Sequence, residues 1–403
     1  MYLEKYKIYN GTIISPSGLI EGGCVLVSDG KIIEVSQNDV EFEGAILIDA
    51  KGMYISPGFI DLHVHGGGGH DFMDNTVEAF LEIAKTHAKY GTTALTPTTL
   101  SSEKEDLLET LRIYEIANEQ NTGGAQFMGI HIEGPYFSMK QRGAQDPRYI
   151  RNPDPKEYLE ILNYSKHITR WSAAPELEGA LEFADCLKSR GILTALAHTD
   201  AIYEEVMKAW DRGFTHATHF YSCMSGVSRR NAYRYAGVVE SAYLLDDMTV
   251  EIIADGVHLP ASLLKLVYKI KGANTTALIT DAMRAAGMPE GKSILGSLKS
   301  GMEVIVEDGV AKLLDRSAFA GSVATADRLV RNMMDLADVS LADAVRMMTD
   351  TPARILNIRH QKGSISKNKD ADLILFDKDI RVDTTIVGGR MVYTSSPLPA
   401  THL

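Results

Sequence analysis

Asp61, His63 and His65 recur at every second residue of FIDLHVH, so an extended chain presents all three on one face. Farther along, Glu133 ends FMGIHIE, His198 ends ILTALAH, His219 lies near the end of FTHATHF and Asp281 near the end of TALITDA. Neutral imidazoles and carboxylate oxygens suit Zn²⁺, Fe²⁺ or a similar divalent ion. A cation held this way acidifies water from a pKa of ~15.7 towards ~7, which is hydrolytic chemistry. Taken singly, each residue has a plainer use. A strand histidine is usually a satisfied core or rim group, the reading that fits His70, His87, His131 and His216. Glu133 alone could be an ion-pair partner, and Asp281 alone a helix cap before AMRAAG. Their joint placement at the ends of apolar segments is what points to a metal centre.

Such residues are far apart in the chain, so something must gather them. Segments 59–65, 92–98, 127–133, 168–174, 192–198, 214–220, 249–255 and 276–282 are short apolar runs. Helix-like stretches such as TVEAFLEIAKTHAKYG and LEGALEFADCLKSRG separate them and end in Gly, a common helix stop. Eight strands alternating with helices predict an α/β fold, a (β/α)₈ TIM-like barrel, in which strand C-terminal ends converge on one functional rim. The alternating, turn-rich segments at both ends of the chain (YKIYNGTII, GCVLVSDGKIIEV; ADLILFDKDIRVDTTIVGGRMVY) predict a small β-sandwich domain built from both termini. The expected division is 1–57 and 354–403 for the sandwich and 58–353 for the barrel. After the eighth strand, LGSLKSGMEVIVEDGVAKLLD reads as a hairpin insertion, followed by helical segments over 322–337 and 341–357.

At 403 residues, a barrel of roughly 250 leaves room for the second module. The formal charge of −12 argues against a nucleic-acid partner, and an anionic substrate would need a local basic cluster. Cys24, Cys186 and Cys223 form neither a disulfide framework nor a cysteine zinc motif, which suits a reducing cytosol. Cys223, four residues after His219, reads first as a small buried residue. MYLEKYKIYNG lacks the apolar core of a secretory signal, and no stretch approaches the ~18 apolar residues of a membrane span. The expectation is a cytoplasmic protein with no membrane partner.

PGFIDLHVHGGGGHDF, GIHIEGPYF, ALAHTDA, THATHFY, IIADGVHL and ITDAMRAAG together resemble the N-acetylglucosamine-6-phosphate deacetylase family of the amidohydrolase superfamily, over nearly the whole chain. The resemblance implies that Glu133, His198 and His219 hold the principal metal. His63 and His65 match the branch in which a second ion can bind, with Glu133 bridging; the fourth strand, ITRWSAA, offers no lysine for that role. Metal-activated water attacking an acetamide, with Asp281 moving the proton to the departing amine, is the chemistry implied. The resemblance also implies a homodimer in which Arg230 reaches the substrate phosphate across the interface, with His258 as another phosphate contact.

The chain departs from the family around the ligand. Gln145 in RGAQDP stands where the family has a histidine that polarises the acyl carbonyl; it can donate a hydrogen bond but carries no charge. Ser222 and Cys223 replace the Asn-Ala of the family's THxYNAM, and RRNAYRYAG, with Arg229, Arg230 and Arg234, replaces HREPG. Three readings follow: deacetylation of an N-acetylated amino-sugar phosphate, N-acetylglucosamine 6-phosphate first; hydrolysis of a different N-acylated sugar or amino compound; and a non-catalytic metal-binding barrel with a regulatory role.

Overall fold

The computed structural model describes residues 4–395. Eight parallel strands make its centre: β1 (Phe59–Val64), β2 (Thr92–Pro97), β3 (Ile130–Glu133), β4 (Ile168–Ala173), β5 (Leu193–Leu196), β6 (Phe214–Ala217), β7 (Thr249–Ile252) and β8 (Thr276–Leu278). Neighbours pair in chain order: β1 with β2, and β3 through to β8 in one continuous sheet. Single parallel bridges, Thr98 to His131 and Val64 to Ala282, join the two sheets and complete the ring. The barrel and its eight strands are as expected.

Helices α1 (Val77–Ala88), α2 (Lys104–Gln120), α3 (Pro155–Tyr164), α4 (Ala180–Ser189), α5 (Tyr203–Arg212), α6 (Val238–Leu244), α7 (Ala261–Thr275) and α8 (Ala326–Ala337) follow the strands in turn. Their ends carry recognisable stops and starts. Thr76 caps α1 by accepting from the Ala79 N–H, and Asp154 caps α3 ahead of Pro155. Gly213 ends α5 in the left-handed region. Because helices cover the ring, strand residues are buried on both faces, which explains the near-continuous apolar runs.

Two sheets pack beside the barrel. One holds Tyr6–Tyr9, Cys24–Ser28, Lys31–Ser36 and Ile46–Asp49; the other joins Thr12–Ser15, Gly18–Glu21 and Tyr54–Pro57 to Leu373–Phe376, Val382–Val387 and Arg390–Thr394. They share a core of Tyr6, Ile8, Ile13, Val25, Val27, Ile55, Leu373, Leu375 and Ile386. Strand Tyr54–Pro57 runs into β1 through Gly58, where a β-carbon would lie 2.1 Å from the Thr93 hydroxyl oxygen. Only glycine passes there.

Three details differ from expectation. The insertion after β8 is a four-stranded antiparallel meander (Gly291–Leu295, Met302–Glu307, Val310–Leu313, Phe319–Ser322), not a hairpin. A parallel bridge between Ala282 and Ser322 seats it on the rim. The segment 341–357 forms two short helices, α9 (Leu341–Met347) and α10 (Asp350–Ile355), broken at Thr349. Pro352 then falls in the first turn of α10, where its missing N–H costs no helical bond. A further antiparallel pair, Ser228–Arg230 with Tyr233–Tyr235, stands above β6.

Candidate metal centre and active site

The strand tips bring the expected ligand candidates together. His63 and His65 come from the end of β1 and Glu133 from the end of β3; His198, His219 and Asp281 follow β5, β6 and β8 by two or three residues. Glu133 Oε1 lies 2.9 Å from His219 Nε2, 3.4 Å from His198 Nε2 and 3.5 Å from His63 Nε2, while Oε2 lies 3.4 Å from His65 Nε2. The Nε2 atoms of His63 and His65 are 3.1 Å apart, and those of His198 and His219 are 3.2 Å apart. Two three-residue groups of metal-ligating geometry result, His63/His65/Glu133 and Glu133/His198/His219, all buried and sharing the carboxylate.

The donor set fits a cation. Ring nitrogens meeting nose to nose at ~3 Å need a proton or a metal between them, since two lone pairs repel. Burial works against a charge on His65, yet Asp281 and Glu133 push it up to about 9. The cage therefore draws in positive charge even by protonation. Burial would also raise Glu133, but His63, His198 and His219 outweigh it and hold the carboxylate well below its ordinary range. Asp281 is likewise lowered against the effect of burial, chiefly by His63 and His65; its Oδ1 is 3.4 and 3.2 Å from their Nε2 atoms.

Groups behind the ligands fix which nitrogen faces inward. His65 Nδ1 lies 3.2 Å from the Thr98 carbonyl oxygen and His198 Nδ1 2.8 Å from that of Gln141. Donating there leaves each Nε2 lone pair for the centre. His198, His219 and Asp281 all have left-handed backbone, with φ of 46°, 31° and 47°. Non-glycine residues held so cost about 1–3 kcal/mol each and cluster at functional sites. Asp281 is pinned from both sides, its N–H donating to His63 O (2.9 Å) and its carbonyl accepting from Ser322 N (2.8 Å).

Three of the four histidines read as ordinary core or rim groups, His87, His131 and His216, are fully buried. His87 donates to Gly66 O, and His131 and His216 pair with Ser172 and Glu251 inside the barrel, where burial keeps both histidines below their ordinary pKa. Asp61 accepts from the Thr280 hydroxyl and N–H, tying β1 to the chain beyond β8. Two charged residues escaped the sequence reading: Arg170 on β4 and Glu251 on β7, fully buried and ion-paired beneath the ligands. Their signal is a charge in the middle of a strand buried on both faces.

Above the ligands lies a cavity of about 180 Å³, lined by His65, Glu133, His198, His219 and Asp281 on its floor. Gln145, Ser222, Cys223 and His258 line it too, Cys223 being only half-buried and not the buried residue first read; Leu100, Ala144, Leu295, Ala318 and Phe319, the last three from the meander and its loop, supply an apolar wall. Gln145 is braced: its Oε1 accepts from Ser101 N (2.9 Å) and its Nε2 donates to Glu133 Oε2 (2.8 Å). Gly143 lets this loop approach, since a β-carbon there would lie 2.5 Å from Cys223 Sγ. His258 Nδ1 is 2.8 Å from Asp255 Oδ2. Arg230 is not brought to this cavity. It sits on the exposed 228–235 hairpin over Tyr235 and lines a separate hollow with Lys140, Glu176 and Asp200.

A family profile described as "Amidohydrolase family" matches residues 54–392. An N-acetylglucosamine-6-phosphate deacetylase of Lysinibacillus sphaericus is 32% identical over 97% of this chain and 98% of its own. An N-acetylgalactosamine-6-phosphate deacetylase of Escherichia coli O157:H7 is 30% identical over 94% and 97%. A solved point mutant of the Mycobacterium smegmatis N-acetyl-D-glucosamine-6-phosphate deacetylase, in complex with N-acetyl-D-glucosamine-6-phosphate, superposes with a TM-score of 0.88. It is 28% identical, over 98% of this chain and all of that one. With this likeness running the length of the barrel, the chain belongs to the amidohydrolase family.

Proposed function

We propose that this chain is a metal-dependent deacetylase that hydrolyses the acetamide of an N-acetylated amino-sugar 6-phosphate, N-acetylglucosamine 6-phosphate first, releasing acetate and the free amine. The observation that carries the reading is the pair of ligand groups sharing Glu133 beneath a cavity that Asp281 also faces. His63, His65, Glu133, His198 and His219 would hold one or two divalent ions, zinc or iron by ligand type. Bound there, such an ion supplies Lewis acidity, polarising an acyl oxygen and acidifying water.

The chain's own residues do the rest. Asp281, kept ionised by its imidazole neighbours, takes the water's proton and passes it to the departing nitrogen, because an amine leaves poorly unprotonated. Gln145, locked by Ser101 and Glu133, has a second amide hydrogen to offer the acyl oxygen. Ser222, Cys223 and His258 would bound the sugar, with the apolar wall excluding water from the acyl group. No helix among the described residues is long and apolar enough to cross a membrane. A phosphorylated sugar, too polar to diffuse through one, supports a cytoplasmic reaction.

One observation favours a second reading. Among the described residues no Lys or Arg lines the cavity, so the proposal assigns phosphate recognition to His258 together with Arg230 from a partner subunit in a homodimer. Without that, the same machinery would act on an unphosphorylated N-acyl compound. Purified, metal-loaded protein offered N-acetylglucosamine and N-acetylgalactosamine, each with and without a 6-phosphate, decides by released acetate. Preference for the phosphorylated sugars supports the proposal; equal turnover of the neutral ones transfers it to the second reading; inertness towards all four rejects both.

A further inference from the structure

Glu251 occupies a position where a barrel strand is ordinarily apolar, and it is 0% exposed. A lone carboxylate there would be costly, and it is not alone. Arg170, also 0% exposed, forms an ion pair with Oε1, and His216 Nε2 lies 2.9 Å from the same oxygen. Arg170 is itself held by the Thr218 hydroxyl (2.7 Å) and the Leu62 carbonyl (3.3 Å). Oε1 is thus saturated, and Oε2 turns up towards the metal ligands. It lies 3.5 Å from His63 Nδ1 and 3.4 Å from the backbone N of His219.

We propose that Glu251, braced by Arg170, is the positioning residue that sets how tightly the His63/His65/Glu133 half of the centre holds its ion. The inference rests on the metal-centre reading above. His63 Nε2 faces Glu133, Asp281 and His65, and with an ion bound at that nitrogen its proton resides on Nδ1. That Nδ1 is buried with no hydrogen-bond partner at ordinary distance, and Glu251 Oε2 is the carboxylate facing it. A closure of roughly 0.5 Å makes the bond. His65 and His198 have only neutral carbonyls in the corresponding place. A carboxylate behind a ligating imidazole fixes its tautomer and strengthens it as a donor more than a carbonyl does. The competing view is that Arg170 and Glu251 are a buried ion pair serving the barrel alone, which apolar residues could replace.

Glu251→Gln keeps the volume and an acceptor oxygen but removes the charge. In competition with a chelator it should loosen the ion of the His63 half by about 10- to 100-fold. The ion of the His198/His219 half should stay within about threefold, because Glu251 reaches that half only through the His219 backbone N–H, at 3.4 Å, and not through an imidazole. Since this variant strands Arg170 without its counter-charge, Arg170→Met/Glu251→Gln removes both charges and should show the same selective loosening. Elemental analysis after dialysis, with His63→Ala as the reference for loss of that ion, reads the result. In the wild-type holoprotein labelled at histidine ring nitrogens, the Nδ1 proton of His63 should also resonate downfield of those of His65 and His198.

Equal loosening of both ions, unchanged affinity for both, or equal proton shifts would each overturn the proposal. So would a wild type binding one ion that His63→Ala retains, a result that leaves deacetylation standing. Conversely, inertness towards every N-acyl sugar would not touch the metal affinities.

Discussion

The cage at the strand tips and the mouth above it differ in how far one chain completes them. The cage is closed within the chain: five ligands and Asp281 are buried, interlocked within 3.5 Å, and backed by carbonyls and a carboxylate. The mouth has an apolar wall and neutral polar groups. Arg229, Arg230 and Arg234 stand on a hairpin, and Arg230 lines a separate hollow. The lesson is that bond-breaking chemistry needs fixed, desolvated groups, which a barrel rim supplies, whereas selection among substrates is left to loops that change independently.

The largest effect should come from opening the cage. His198→Ala or His219→Ala is expected to strip the ion shared with Glu133 and abolish turnover, with elemental analysis showing the loss. Asp281→Asn should lower kcat by about 10²- to 10⁴-fold, the usual worth of a positioned acid–base group, while metal content stays normal. If that variant lost its metal instead, Asp281 would be a ligand first and the cage would extend to β8. Weaker and more selective is the mouth. Arg230→Ala should raise KM roughly tenfold for the 6-phosphorylated sugars and leave neutral sugars unchanged, the loss of one charged hydrogen bond. An equal change for both would detach the hairpin from phosphate binding.

The same division runs through what could be read in advance. The eight strands and the five residues that gather into the candidate metal groups were legible because a buried parallel strand is apolar, so a His or Glu at its tip stands out. Gln145, Ser222, Cys223 and His258 could be placed near the cage by motif, and they line its cavity. The meander was legible only in part: Asp308-Gly309 is a clear two-residue turn, whereas the connections over 296–301, which carries Gly296 and Ser300-Gly301, and over 314–318 are longer and do not fix a strand pairing. The 228–235 hairpin, SRRNAYRY, has no apolar alternation and left no trace as a strand pair. Arg170 and Glu251 each stand out as a charge within a buried strand, but their pairing was invisible for another reason. Each lies on a different strand, and their meeting across the barrel interior depends on the stagger of the ring.

Gln145 joins the two regions, and changing it should have the smallest effect. Its amide spans Ser101 N and Glu133 Oε2, so it buttresses the cage while facing the mouth. An imidazole in its place reaches about as far, but it can satisfy both contacts only as the neutral tautomer with its proton on Nε2. Next to a carboxylate already drawing in charge, it would tend to become imidazolium and compete with an ion for Glu133. Gln145→His is therefore expected to weaken metal retention and to lower kcat/KM for N-acetylglucosamine 6-phosphate by no more than about tenfold, far less than Asp281→Asn. Steady-state acetate release with a parallel metal assay checks both. A gain in kcat/KM would mean that Gln145 serves a different acyl compound, and that the mouth, not the cage, defines what this chain is for.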